Sequence, residues 1–474
     1  MLPNGFADRA LVLGSSCPDA LAPTSTEQTL DDTSVDLVLL APSADERRDP
    51  TWVRHAVHTA VSRLSTTGIA YVVPSRAVGL RRSLAAGGLR SAEMLLHIPD
   101  LAQSRHVVPV GTAAERYALS GQLPMKRSNR LAAAALPSSW RAAVGPTGTV
   151  FRRTTAVPLA SWLFELERSP RVPGSALVTA SGAAAGGSIL HRFSGSEAGP
   201  DGVAKVSPRA TDELQSLLRI APAAARAGAR VPVVLHSGEL GSVPLVLQSA
   251  LAGRSAQLLL EEKRVTASSL QERIAAWLER WAGSTARPRG LSRRDLERFV
   301  LSPAAGPAPL ASERGLYVDY LRALCSRAVG MTCPLVAGHG DLTAANIVLD
   351  GQAELGIVDW EEASEEALPL TDFFYAAADA LAATHAYADR PGAVASCFAA
   401  DGDHAPFVDG LRRRLSHALG IHEVIQEICF HACWLHHAVN EASRSANSEV
   451  GPFTAILRLV AGDPDRFRLA DQGR

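Results

Sequence analysis

Lysine is almost missing from this chain. Of 47 lysines and arginines, only Lys126, Lys205 and Lys263 are lysines. Such a ratio marks a sequence drifted toward arginine, so a lysine kept inside a strand-like run asks for a reason. A surplus of either charge is missing too. The formal net charge is −1, which gives no global pull toward nucleic acid or an anionic membrane. Cysteine is sparse: Cys17, Cys325, Cys333, Cys397, Cys429 and Cys433 show no disulfide-framework spacing, which suits a reducing compartment. The opening MLPNGFADRALVLGSS lacks the basic start and long apolar core of a signal peptide. No uncharged apolar run approaches the roughly 18 residues of a membrane span. Repeats and long low-complexity tracts are absent. These absences set the expectation of a cytoplasmic protein with neither a membrane nor a nucleic-acid partner. What is present is ordinary: 474 residues, 47% hydrophobic and 20% charged, enough for two or three domains with a large core.

The first third reads as α/β. ALVLGS (10–15), VDLVLLAP (35–42) and GIAYVVPS are strand-like, WVRHAVHTAVSRL and the stretch from Arg81 to Ala86 are helical, and AEMLLHIP and HVVPVG read as two closing strands. Strands alternating with helices predict a parallel sheet covered by helices. The Pro- and Gly-containing region from Ser138 to Gly174 holds the expected domain boundary, with Trp162, Leu163 and Phe164 packing between domains. From Ala176 the pattern changes. SALVTA and SILHRF flank the loop SGAAAGG; GVAKVS, a helix TDELQSLLRIAPAAARAG, and two further strands, RVPVVLHS and SVPLVLQS, follow. Beyond Leu259 the chain reads as mostly helical.

The stretch GHGDLTAANIVLDGQAELGIVDWE (338–361) carries the chemistry. Asp341 and Asn346 have the D-x-x-x-x-N spacing of phosphoryl-transfer enzymes, in which the Asp takes or orients the proton of the attacking hydroxyl and the Asn oxygen holds Mg²⁺. IVLD and LGIVDW predict a short hairpin that ends on Asp359, a second hard oxygen ligand for a metal bridging nucleotide phosphates. Upstream, the loop with Gly182, Gly186 and Gly187 lets backbone N–H groups approach phosphates; alone it reads first as a plain hairpin turn. Alternation in GVAKV puts Val203 and Lys205 on one face and Ala204 and Val206 on the other. Glu213 opens the next helix, where it can pair with Lys205.

In this order these pieces resemble the aminoglycoside phosphotransferase and choline kinase-like branch of the protein-kinase-like fold, on HGDLTAANIVLD…GIVDWE together with LPLTDFFYAAADAL. The resemblance spans roughly Ala176 to the C-terminus. It implies ATP or GTP as donor, Mg²⁺ as cofactor and a small-molecule hydroxyl as acceptor. It makes Asp341 the catalytic base, Asn346 and Asp359 metal ligands, Lys205 the phosphate-binding lysine, Glu213 its partner and His339 a brace of the loop. LVLQSALAGRS resembles the hinge whose backbone near Gln248 to Leu251 holds the nucleotide base. Asp372 matches a family acid that supports the catalytic loop, or is an ordinary first-turn helix acid. The absence of D-F-G and A-P-E weighs against a protein substrate.

The N-terminal third is similar, more faintly, to the second half of a class I methyltransferase sheet, on VDLVLLAPS…VRHAVHTAVSRLSTTGIAYVVPS…AGGLRSAEMLLHIPDLAQSRHVVPV. The methyl-donor loop is missing, since SSCPDA follows ALVLG, so the resemblance implies a degenerate domain. The expected architecture is an α/β N-terminal domain (1–150) with a partial Rossmann-like sheet, a linker and β-rich nucleotide lobe (151–260) and a helical catalytic lobe (261–474), the last two forming an α+β two-lobed kinase-like domain. The N-terminal domain leaves room for a protein partner. Competing readings are a non-catalytic nucleotide-binding scaffold, and a methyltransferase with a kinase-like accessory domain. Cys429, Cys433 and His436 in CFHACWLHH have metal-ligand types at helical spacing, although Phe430, Trp434 and Leu435 among them read as core. The acids Glu361, Glu362, Glu365 and Glu366 form a solvated face or attract a cationic acceptor.

Overall fold

The computed structural model describes residues 10–13, 35–73, 78–98, 106–110, 112–119, 147–153, 175–180, 187–194, 199–240, 242–305, 314–351, 354–444 and 451–467. The chain divides into two compact units, one made of residues 1–211 with 234–250 and the other of residues 212–233 with 251–474. The calls on Gly182, Gly186, Cys17 and Trp162 to Phe164 lie outside the described residues.

The first unit is built on one eleven-stranded sheet. Strands β1 (Ala10–Leu13), β2 (Val35–Leu40) and β3 (Leu64–Val72) run parallel. The crossover from β2 to β3 is α1 (Pro50–Arg63), started by the Asp49 carboxylate accepting the Thr51 N–H at 2.8 Å and by Pro50 at its first turn. Ala56 and Ala60 are buried, so α1 sits close on the sheet. Helix α2 (Val78–Ala86) leads to β4 (Arg90–Ile98), and β5 (His106–Pro109) returns antiparallel to it. The two strands expected to close the N-terminal sheet form, but they do not close it, because β5 pairs onward with a further strand.

A strand that the sequence did not announce, β6 (Thr147–Arg152), inserts between β3 and β4 and is antiparallel to both. Its apolar content is Val150 and Phe151, which go to opposite faces of the sheet. Two glycines and a proline around them suppress the strand signal. The division expected at residue 150 falls inside this strand. Beyond β5 the sheet continues into β7 (Ser175–Ala180), β8 (Ser188–Phe193), β9 (Gly202–Val206) and the hairpin Val234–Leu240 and Val243–Ser249. β5 and β7 meet through His106 opposite Thr179 and Val107 opposite Val178, and the His106 ring Nδ1 lies 3.0 Å from the Thr179 hydroxyl. Leu96 and Val108 pack with Leu177 and Phe193 in one cluster across this seam.

The periodic stretch read as one helix is two, Ala210–Arg219 and Ala221–Arg226. Pro222 lies in the first turn of the second helix, where its missing N–H is tolerated; it cannot continue the first.

The second unit is mostly helical. Its core contains the stacked pair Trp277 and Trp281 on helix Ala267–Thr285, with Trp360 edge-on to Trp281. The expected hairpin forms as Ile347–Leu349 against Leu355–Ile357, Ile347 opposite Ile357. Strand Thr332–Gly338 feeds the H-G-D segment, and helix Thr371–Ala383 is buried along nearly its whole length. Cys429 and Cys433 lie fully inside helix Glu423–Arg444, and burial holds both thiols well above their ordinary range. Buried thiols of this kind pack as small apolar groups. Among the described residues no helix is long and apolar enough to cross a membrane.

Candidate active site

The loop after strand Thr332–Gly338 is shaped by two glycines. Gly340 has φ +80, and a Cβ there would stand 2.5 Å from the Glu362 carbonyl oxygen; a Cβ on Gly338 would meet that of Ala367 at 2.7 Å. The chain therefore turns tightly against the segment after Trp360, which only glycine permits. His339 is fully buried, its ring edge-on to Trp360 at 4.9 Å. The Asp341 N–H reaches His339 Nδ1 at 3.3 Å, so Nδ1 is the accepting nitrogen and Nε2 carries the proton it donates to the Val358 carbonyl, 3.1 Å away. His339 thereby ties the H-G-D loop to the strand that ends on Asp359.

Asp341 and Asn346 are in contact. The Asn346 amide nitrogen donates to the Asp341 main-chain oxygen at 2.9 Å and to its Oδ2 at 3.1 Å. This leaves the Asn346 side-chain oxygen as its acceptor for other groups. Burial first, and then the charge of Asp359, push the Asp341 carboxyl above its ordinary range; His339 and a hydrogen bond from Tyr375 oppose the rise. Asp359 has φ +67. A non-glycine residue in this region is strained by about 1–3 kcal/mol, and such residues cluster at functional sites. The carboxylates of Glu213, Asp359 and Glu361 lie within 4.8 Å of one another. The Glu213 carboxylate belongs to this acidic group. These three carboxylates offer hard oxygens of the kind a small divalent cation takes.

Asp372 supports the loop directly. Its carboxylate accepts the His339 N–H at 2.7 Å and the Gly340 N–H at 2.9 Å. Sequence reasoning missed one more support. Asp379, fully buried, accepts the Ala344 N–H at 2.7 Å and is held by the Tyr387 hydroxyl and by Arg390, each at 3.2 Å. Burial nevertheless keeps its carboxyl above the ordinary range. Tyr375, which borders the same cavity as Asp341, was passed over as well. Both lie on the helix of Asp372, and an acid buried in the apolar run DFFYAAADAL was the available signal.

Asp341 borders a cavity of about 260 Å³ whose wall includes Glu362, Tyr375, His437, Glu441 and Phe453. A neighbouring cavity of about 250 Å³ shares Gly340, Glu362 and His437 and adds Phe299, Glu366 and Cys433. The lining combines aromatic rings with carboxylates.

In the first unit, Lys205 is buried in β9, opposite Ile189 of β8 and Val246 of the hairpin. Ala204 and Val206 join the sheet core, so the alternation read from the sequence is the one observed. Gln248 shares the Lys205 face, opposite Val203, and is buried; Gly187 immediately precedes β8. In the second unit the Leu251 side chain approaches Gly356, three residues before Asp359; a Cβ on that glycine would lie 3.0 Å from it.

Residues 192–411 match the model of the phosphotransferase enzyme family, APH. Over that stretch the chain is similar to that family, the one that the motifs resemble. Three solved structures similar to the chain are aminoglycoside phosphotransferases. One is APH(3'')-Id from Streptomyces rimosus, at 16% identity and TM-score 0.35, covering 58% of this chain and 98% of its own. Another is the apo form of a thermostable APH(4)-Ia mutant, at 14% and 0.37, covering 63% and 92%. The third is an aminoglycoside-3'-phosphotransferase of type VIII, at 18% and 0.36, covering 59% and 98%. No curated protein matches the sequence.

Proposed function

We propose that the chain transfers the γ-phosphoryl group of ATP or GTP to a hydroxyl of a cationic small molecule. The observation that carries this is the Asp341–Asn346 clasp at the edge of a cavity lined by Glu362, Glu441 and aromatic rings. Carboxylates with ring faces suit an acceptor that bears protonated amines. Asp341 takes the hydroxyl proton as the acceptor oxygen bonds to phosphorus and the bond from phosphorus to the β,γ-bridging oxygen breaks, releasing the nucleoside diphosphate. A raised carboxyl suits proton uptake in the transition state. Asn346 and Asp359 would hold Mg²⁺, which neutralises phosphate charge when bound. Lys205 would contact the nucleotide phosphates, and the backbone around Gln248 and Leu251 would hold the base.

For residues 1 to about 150 we propose a packing module, not a methyltransferase; the carrying observation is the β5–β7 seam with its shared apolar cluster. The decisive experiment is a nucleotide-turnover screen of the full chain with Mg²⁺ against aminoglycosides, amino alcohols and neutral sugars. Turnover that responds to amine-bearing acceptors and fails with EDTA is expected. Nucleotide and Mg²⁺ that leave the melting temperature unmoved in a folded sample would count against the whole reading, because a ligand at about 100 times its Kd adds roughly 2.7 kcal/mol.

A further inference from the structure

Helix Thr371–Ala383 leads into a turn that the backbone resists. Ala386 and Tyr387 both have positive φ, +50 and +60, and side-chain-bearing residues seldom take the left-handed region in succession. Helix Arg390–Phe398 then opens on an arginine directly after its cap Asp389, where a cation opposes the helix dipole. Asp379 adds a third costly choice, a carboxylate with no exposed side-chain surface. All three meet at one point. Asp379 Oδ2 accepts the Tyr387 hydroxyl and Oδ1 accepts the Arg390 guanidinium, each at 3.2 Å. The guanidinium carbon also lies 4.1 Å from the centre of the Tyr387 ring and 5.2 Å from that of Phe453, so two ring faces hold the cation where it meets Asp379.

Asp379 in turn holds the catalytic loop. Its Oδ2 accepts the Ala344 N–H at 2.7 Å. Ala344 lies between Asp341 and Asn346, where the chain turns tightly: the Thr343 N–H reaches the Asp341 carbonyl at 2.9 Å and the Asn346 N–H reaches the Thr343 carbonyl at 3.1 Å. This turn delivers the Asn346 amide to Asp341 Oδ2 at 3.1 Å. We infer that Arg390 is a positioning residue: seated by the rings of Tyr387 and Phe453, it fixes Asp379 on the Ala344 turn and so sets Asn346 against Asp341. The inference rests on the phosphotransferase reading. Arg390 and Tyr387 occupy different oxygens of one carboxylate, which fixes its torsion and keeps Oδ2 aimed at Ala344. Asp372 anchors the other side of Asp341, at His339 and Gly340. Phe453 borders the cavity beside Asp341, so the seat of the arginine has one side on the space proposed for the acceptor.

The test uses two mild variants of the full chain. Arg390→Lys keeps the charge but loses the planar fork and its ring contacts. Tyr387→Phe keeps the ring and removes the hydroxyl. Deuterium uptake of the peptide spanning residues 340–346 reads the turn, with helix Ala267–Thr285 as internal control. Steady-state turnover of MgATP with water as acceptor reads the chemistry. In both variants the 340–346 peptide is expected to exchange about tenfold faster while the control helix is unmoved. A kcat lower by about ten- to a hundredfold, with the KM for MgATP within about twofold, is expected beside it. Unchanged uptake at 340–346 overturns the inference, whatever kcat does. So does a rise shared equally by the control helix, which would mark Arg390 as a fold support only. Faster exchange at 340–346 with an unaltered kcat removes the positioning role and leaves the phosphotransferase reading standing. An unaltered chain that binds MgATP and turns none over sinks both.

Discussion

Replacing Asp372 by alanine tests how much one carboxylate contributes to the catalytic loop. The side chain accepts two backbone N–H groups, at 2.7 and 2.9 Å, in a site where Asp372 is only 8% exposed. A hydrogen bond to a charged group contributes about 1.5–3 kcal/mol, and a buried N–H left without a partner costs about 1–3 kcal/mol. The alanine leaves two such groups. The first-turn acid also favours the helix N-terminus by roughly 0.3–1 kcal/mol. These effects overlap, so the expected loss is about 3–5 kcal/mol. For a unit of this size each kcal/mol moves the melting temperature by roughly 2–4 °C, which gives a fall of about 6–20 °C. Asp372→Asn keeps one accepting oxygen and should lose about half as much. Thermal and urea unfolding of the full chain, followed by tryptophan emission, reads the second unit, where Trp277 stacks on Trp281 and Trp360 lies edge-on. An alanine variant within about 1 kcal/mol of the unaltered chain would refute the reasoning.

Gly340→Ala should leave little soluble, active protein, since it combines φ +80 with a 2.5 Å approach to the Glu362 oxygen and left-handed backbone alone costs about 1–2 kcal/mol; near-normal expression and melting would contradict the turn geometry. Asp341→Asn should cut transfer by about 10²–10⁴-fold while sparing nucleotide binding, seen as an intact melting shift with MgATP. Arg390→Ala removes the partner of fully buried Asp379 and should destabilise the unit by about 3–5 kcal/mol in urea unfolding. His431 is buried, its ring nitrogen 2.9 Å from the Tyr317 hydroxyl, and burial lowers it from 6.5 to about 3. The unfolded chain binds this proton below pH 6.5 and the folded chain does not, so stability falls as pH drops from about 6.5 toward 3. The loss is about 2 kcal/mol by pH 5, and His431→Phe should flatten that part of the pH–stability curve.

The hairpin Ile347–Leu349 with Leu355–Ile357 was legible because its information is local: Asp341, Asn346 and Asp359 are spaced by their own loop, and the apolar runs between them pair. β9 was legible for the same reason, through strict alternation around Lys205. What stayed hidden depends on tertiary partners. β6 has two apolar residues and draws its identity from the strands on either side. Tyr375 and Asp379 read as ordinary members of an apolar helix until the loop that Asp379 holds is placed against them. The break at Ile220 was hidden by an apolar period that runs through a proline.

The seam between β5 and β7 bears on how such a kinase can be divided. A fragment that began at Ser175 would start with a bare strand, offering unpaired N–H and C=O groups and the uncovered side of Leu177 and Phe193 to any passing chain. Exposed ladders of this kind template pairing between molecules. Such a fragment should self-associate with rising concentration even if every residue of its catalytic loop is intact. The strands from β7 onward are for that reason not a portable cassette: they travel only with the neighbour that covers their edge.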